Sequence, residues 1–176
     1  GVLDKANEVM EQLKAAGIRA KVDASDKTPG WKFSDAEMRG IPLRIEIGPR
    51  DIENNACVIA KRNDGTKNTY SLDETLPDTI NKLLDTIHDE MYQKALKHRD
   101  ENIRQATTYD QFKDIIATKG GYVKIMWCGD EECENKIKAD TTATSRCIKE
   151  DEEAFSDVCP VCGKPAKKVV YFAKSY

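Results

Sequence analysis

The sequence has no apolar run near the roughly 18 residues needed to cross a bilayer, and its first residues carry neither the basic nor the apolar segment of a secretory leader. A cytoplasmic protein is expected. Positive charge is not in excess either: 28 Lys and Arg against 31 Asp and Glu leave a net charge of -3, which excludes nucleic-acid binding through bulk charge and leaves recognition to a defined site. Histidine is scarce. His88 and His98 both fall in one long helical pattern and read as surface or packing groups. There is no cluster of serine, histidine and acid, no phosphate loop, no dinucleotide fingerprint and no internal repeat. Six cysteines are too few and too unevenly placed for a secreted disulfide scaffold. What remains is ordinary for a globular protein of one or two domains, with 39% apolar and 34% charged residues.

Leu3, Ala6, Val9, Met10, Leu13 and Ala16 recur at helical spacing, and Gly17 follows as a stop. "IRAKVDA" alternates with Ile18, Ala20 and Val22 inward, "PLRIEI" and "ACVIAKR" read as further strands, and "NDGT" turns into "KNTYSL". A long helix is predicted from Pro77 to about Arg104, then a short helix over 108–117, with strands at "GYVKIMW" and "KKVVYFA". The order of elements predicts an α/β fold followed by a second, smaller α/β unit.

Cys57 apart, the cysteines all lie after residue 125. Cys128 with Cys133 and Cys159 with Cys162 form two close pairs, the spacing of a tetrahedral thiolate zinc site. The competing readings are a redox pair and simple burial. In "CPVCGKP", Gly163 and Pro165 stop any helix after the pair, whereas a redox pair uses such a helix to lower its thiol pKa. Four protein ligands leave no open position, so the expected zinc is structural and not catalytic. Cys57 and Cys147 fall in strand-like segments outside this spacing and read as small core residues.

"GWKFSDAEMRG" places Trp31 and Phe33 in what reads as a polar turn before a short helix. Ser34 followed by Glu37 fits a capping box, with Phe33 and Met38 as its hydrophobic staple. Trp31 is left without a role. In "LRIEIGPRD", Leu43, Ile45 and Ile47 share one strand face and Arg44 and Glu46 the other. Those charges are either solvated or, with the nearby ring, the parts needed to stack an unpaired base and read guanine.

Together, "TPGWKFSDAEMRGIPLRIEIGPRD", "WCGDEEC", "CPVCGKP" and the terminal "VYFAKSY" closely resemble the carboxy-terminal part of prolyl-tRNA synthetases of the eukaryote-like and archaeon-like type. The resemblance covers nearly the whole chain. It implies an anticodon-binding domain over 1–88, built on a five-stranded mixed sheet flanked by helices, a connecting part of the long helix over 89–104, and a zinc-binding domain over 105–176. Because the family's domain begins with a strand and this sequence opens on a helix, one strand is unaccounted for; its absence would expose a slot of apolar side chains and unpaired backbone.

The resemblance further implies that Phe33 stacks on an anticodon base of proline tRNA and that Glu37 and Arg44 contact its two guanines, with Arg50 and Asp51 beside them. Trp31 would shape the loop, Lys61 and Arg62 would contact phosphate, and Tyr176 would pack toward the catalytic domain of the parent enzyme. That parent is a homodimer and uses ATP and Mg2+ in a catalytic domain, none of whose motifs occurs here, so this sequence alone is expected to be inactive. The alternatives are a stand-alone zinc-containing adaptor for RNA or protein, and a thiol oxidoreductase.

Overall fold

A computed structural model describes residues 1–175; Tyr176, and the role expected of it, lies outside them. The chain divides into two α/β units, Gly1–Lys94 and Ala95–Tyr176.

In the first unit, helix α1 (Val2–Ala15) turns Val9 and Leu13, one helical turn apart, into the core. Leu3, expected on the same stripe, is half exposed. The strand expected at "IRAKVDA" does not form. Residues 18–24 are irregular because no described strand lies beside them to exchange backbone hydrogen bonds, although Ile18 and Ala20 still pack against the core. Helix α2 (Pro29–Met38) follows, and it starts earlier than the sequence suggested.

Strand β1 (Leu43–Glu46) leads through the short helix α3 (Pro49–Glu53) to β2 (Ala56–Lys61) and β3 (Lys67–Ser71). These strands form an antiparallel sheet in the order β1-β2-β3, in place of the five-stranded mixed sheet implied by the resemblance. Ile45 pairs with Ile59 on the face turned to the core, and Cys57 lies fully buried on the same side, against Leu72, Leu76 and Ile80. On the opposite face one register row runs Arg44, Ala60, Lys67 across all three strands. Helix α4 (Leu76–Glu101) buries Leu76, Ile80 and Ile87. It stops short of Arg104, which lies in a strand.

The second unit contains β4 (Ile103–Gln105), α5 (Tyr109–Thr118), β5 (Tyr122–Trp127), α6 (Glu131–Thr141), β6 (Ala143–Ile148) and β7 (Lys168–Lys174). Its sheet is mixed, in the order β4-β5-β7-β6, with β4 and β5 parallel and the other pairs antiparallel. Both faces are covered. Val170 and Phe172 of β7 join Val123, Ile125, Phe112, Ile116 and Ile137 on one side, while Val169 and Tyr171 join Met126, Cys133 and Cys159 on the other. That is why "KKVVYFA" reads as a continuous apolar run and not an alternation. Cys147, expected in the core, is exposed: the β6/β7 register shifts between Ser145 and Cys147, and such a bulge turns the following side chain to the other face.

Candidate functional site

Thr28, and not Ser34, caps α2: its hydroxyl oxygen accepts a hydrogen bond from the Trp31 N–H at 3.4 Å, and Pro29 takes the first helical position, where its missing N–H costs nothing. Ser34 is therefore inside the helix and Met38 is 87% exposed, so neither the capping box nor the staple forms. Phe33 and Glu37, four residues apart, share one side of α2.

That side meets the outer face of the sheet. The Arg44 guanidinium carbon lies 4.1 Å from the Phe33 ring centroid, and the Lys67 ammonium lies 4.9 Å from the same centroid. Arg44 Nε donates to Glu46 at 3.0 Å and Nη1 to Glu37 at 3.3 Å, while Lys67 Nζ donates to Glu46 at 2.9 Å. Two cations and two carboxylates thus surround one ring. Arg44, with its side chain only 16% exposed, is a packed group and not the solvated strand-face charge that is the plainer reading of the sequence. Cation and ring attract by about 0.5–2 kcal/mol, more as water is excluded. Glu37 is 61% exposed, leaving carboxylate lone pairs toward solvent beside the guanidinium donors. Donors, acceptors and an aromatic face in one place can stack a purine and read its edge.

The other expected contacts are placed differently. Arg62 Nε donates to the Glu37 carbonyl at 2.8 Å, so this cation holds the carboxy-terminal end of α2 onto the hairpin. Lys61 is flanked by Asp64 at 3.0 Å and Glu90 at 2.7 Å, and its pKa is raised, chiefly by the hydrogen bond to Glu90 and then by that to Asp64. Asp51 accepts the Gly48 N–H at 2.7 Å and fixes the start of α3, and Arg50 is exposed beside it. Among the described residues, no hydrogen bond or ion pair joins Arg50 or Asp51 to the Phe33 cluster. Sequence reasoning missed Lys67, which only strand register brings into the same row as Arg44, across Ala60.

In the second unit the thiols of Cys128, Cys133, Cys159 and Cys162 all lie within 4.8 Å of one another. The Cys128 sulfur is 3.7 Å from both Cys133 and Cys162. Four sulfurs at about 2.3 Å from a tetrahedral zinc would sit about 3.8 Å apart, whereas a disulfide needs about 2.05 Å, so the spacing fits a metal and no bond. Each half is a turn closed by a left-handed glycine, Gly129 at φ 89° and Gly163 at φ 72°. Cys133 occupies the first turn of α6, whose positive end favours thiolate. Burial, followed by the neighbouring thiols, pushes the Cys133 pKa up, and burial likewise raises that of Cys128. Gathered thiolates therefore need a cation. The four cysteines can hold a metal ion, and the resulting centre would cross-link β5, α6 and the loop before β7.

Residues 1–83 match the family described as "Anticodon binding domain", and residues 109–176 match "Prolyl-tRNA synthetase, C-terminal". The chain belongs to the prolyl-tRNA synthetase family. It is 58% identical over its whole length to a proline–tRNA ligase of Lachnospira eligens and 51% identical to one of Clostridium botulinum, spanning 36% of each. Among solved structures, the prolyl-tRNA synthetase of Cryptosporidium parvum complexed with L-proline and AMP matches with TM-score 0.90 at 35% identity, over 99% of this chain and 37% of that one. The Giardia lamblia prolyl-tRNA synthetase in complex with prolyl-adenylate also matches with TM-score 0.90, at 29% identity, over 99% of this chain and 38% of that one. The chain thus spans little more than a third of the synthetases it matches.

Proposed function

We propose that this chain supplies anticodon recognition and a metal-stabilised carboxy-terminal domain to a proline–tRNA ligase, with residues 89–104 as the connector. The enzyme would attach proline to its tRNA in the cytoplasm as a homodimer, using ATP and Mg2+ in a catalytic domain outside this chain. The supporting observation is the convergence of Phe33, Glu37 and Arg44 on one surface.

In this reading Phe33 stacks on an anticodon base, Arg44 donates to guanine O6 or N7, and the outer oxygen of Glu37 accepts from guanine N–H groups. Glu46 holds Arg44 in place, and Lys67 joins the same ring as a second donor. Arg50 and Asp51 stand at the rim. Zinc on Cys128, Cys133, Cys159 and Cys162 would act as a structural cross-link with no substrate position. Tyr176 would contact the catalytic domain.

The test compares binding of proline tRNA with that of a variant whose anticodon guanines are replaced, in unaltered enzyme and in Arg44→Ala. Loss of the preference by about tenfold or more is expected, since a good bidentate base contact is worth about 1–3 kcal/mol. Full retention of the preference in Arg44→Ala would remove this surface from recognition.

A further inference from the structure

Trp31 takes no part in the Phe33 cluster. Its indole is 49% exposed in the first turn of α2, although a ring of that size is worth more buried than in water. Each helical residue turns about 100° about the axis, so Trp31 and Phe33 point about 200° apart, to opposite sides of a helix about 10 Å across. Phe33 takes the side that meets Arg44 and Lys67. Trp31 is left on the outer side, with Lys27 beside it and the Lys27 ammonium 5.7 Å from the ring centroid. Lys32 nearby is committed, 3.8 Å from Asp23 and donating to a carbonyl. Lys27 makes no ion pair among the described residues.

We propose that Trp31 and Lys27 form a second stacking position on the same RNA surface, the indole taking an unpaired base and the ammonium an adjoining phosphate. The proposal rests on the reading of the first unit as an anticodon-loop binder. An exposed indole with a cation over its ring that no carboxylate holds matches the mixed chemistry of a single strand, which has flat faces for rings and charge for lysine. Because the two rings lie on opposite sides of α2, one nucleotide cannot touch both. The loop must pass over the amino-terminal end of the helix, where Lys27 and the helix's positive end both favour phosphate. Every base offers a π face, so Trp31 adds affinity without discrimination, in contrast to Arg44.

The probe is an RNA hairpin carrying the proline anticodon loop, bound by the zinc-loaded chain, with a second hairpin whose loop guanines are replaced. Trp31→Ala is expected to weaken binding of both hairpins by about tenfold, equivalent to 1.4 kcal/mol, and to leave their ratio and the thermal midpoint unchanged. Lys27→Ala is expected to lower the dependence of log affinity on log salt by about 0.7. The sequence contains only two tryptophans, so Trp127→Phe isolates the Trp31 fluorescence, which should be quenched saturably by the hairpin. Unaltered affinity in Trp31→Ala, while the parent chain binds and prefers guanine, overturns this proposal and leaves the anticodon reading standing. A defect seen only in charging by the intact ligase, with hairpin binding unchanged, assigns Trp31 to another part of the enzyme and also overturns it. Failure of the parent chain to bind either hairpin removes the anticodon reading and this proposal together.

Discussion

Arg44 lies against Phe33 and shares Glu46 with Lys67, so a single carboxylate orients both cations that stand on one aromatic ring. The arrangement is made before any ligand arrives. A base that binds here meets donors already aimed, which reduces the ordering cost of recognition.

Arg44→Lys separates charge from geometry. A lysine retains the ion pairs but loses the planar fork that reads guanine and stacks on Phe33. The protein should lose about 1 kcal/mol of stability or less, while the preference for the anticodon guanines falls about tenfold. Denaturant unfolding and tRNA competition measure the two separately, and equal loss in both would show a purely structural role.

Lys61→Ala should leave the salt dependence of tRNA binding unchanged, because its charge is already compensated by Asp64 and Glu90. The substitution should loosen the β2–β3 hairpin, visible as faster hydrogen exchange around Lys61 and Gly65. A salt slope lower by about 0.7 in the variant would restore Lys61 as a phosphate contact.

Removal of zinc, or Cys159→Ser, should unfold or loosen residues after about 120 and spare the first unit. Structural zinc contributes on the order of 10–16 kcal/mol of apparent binding free energy, more than the net stability of a domain of this size. Elemental analysis and segment-resolved hydrogen exchange provide the measurement. A metal-free protein with unchanged exchange after residue 120 would contradict it.

Glu152 ties the loop after β6 to the sheet, accepting from Lys124 at 2.5 Å and from the Tyr171 hydroxyl. These two bonds, Lys124 first, hold its carboxyl below the ordinary value of 4.5. A depressed folded pKa gives stability that is full above the unfolded value and is lost as pH falls through the folded one. Glu152→Gln should therefore lower the thermal midpoint at about pH 7, and the difference from the parent should shrink as acidification carries the parent's carboxyl through its lowered folded pKa. A midpoint difference that does not shrink on acidification would show that the carboxylate charge contributes nothing.

Long periodic segments were legible because burial repeats along them. α1, α4 and β5 formed as their apolar spacing required, and the paired cysteines, singled out by spacing alone, come together in a cluster that can hold a metal ion. Helix α6 was not legible: only Cys133, Ile137 and Thr141 are buried in it, too sparse a stripe to stand out. The Ser34 and Glu37 spacing misplaced the start of α2, since Thr28 and Pro29 open the helix through a glycine that reads as a turn. Lys67 could not be found locally because it stands 23 positions beyond Arg44 and only the register Arg44–Ala60–Lys67 makes them neighbours.

The placement of β7 between β5 and β6 has a consequence for biogenesis. The strand that completes the middle of the second sheet is made after both of its neighbours, so that sheet cannot close until Lys174 has emerged from the ribosome. Until then β5 and β6 each present an unpaired edge, and the Cys128 and Cys133 thiols wait for partners some 25 residues behind them in synthesis. The first unit needs nothing from that segment for its core. It can therefore fold while the second unit is still being made, whereas the second sheet closes only once β7 is available, after all four of the cysteines that can hold a metal ion have been made.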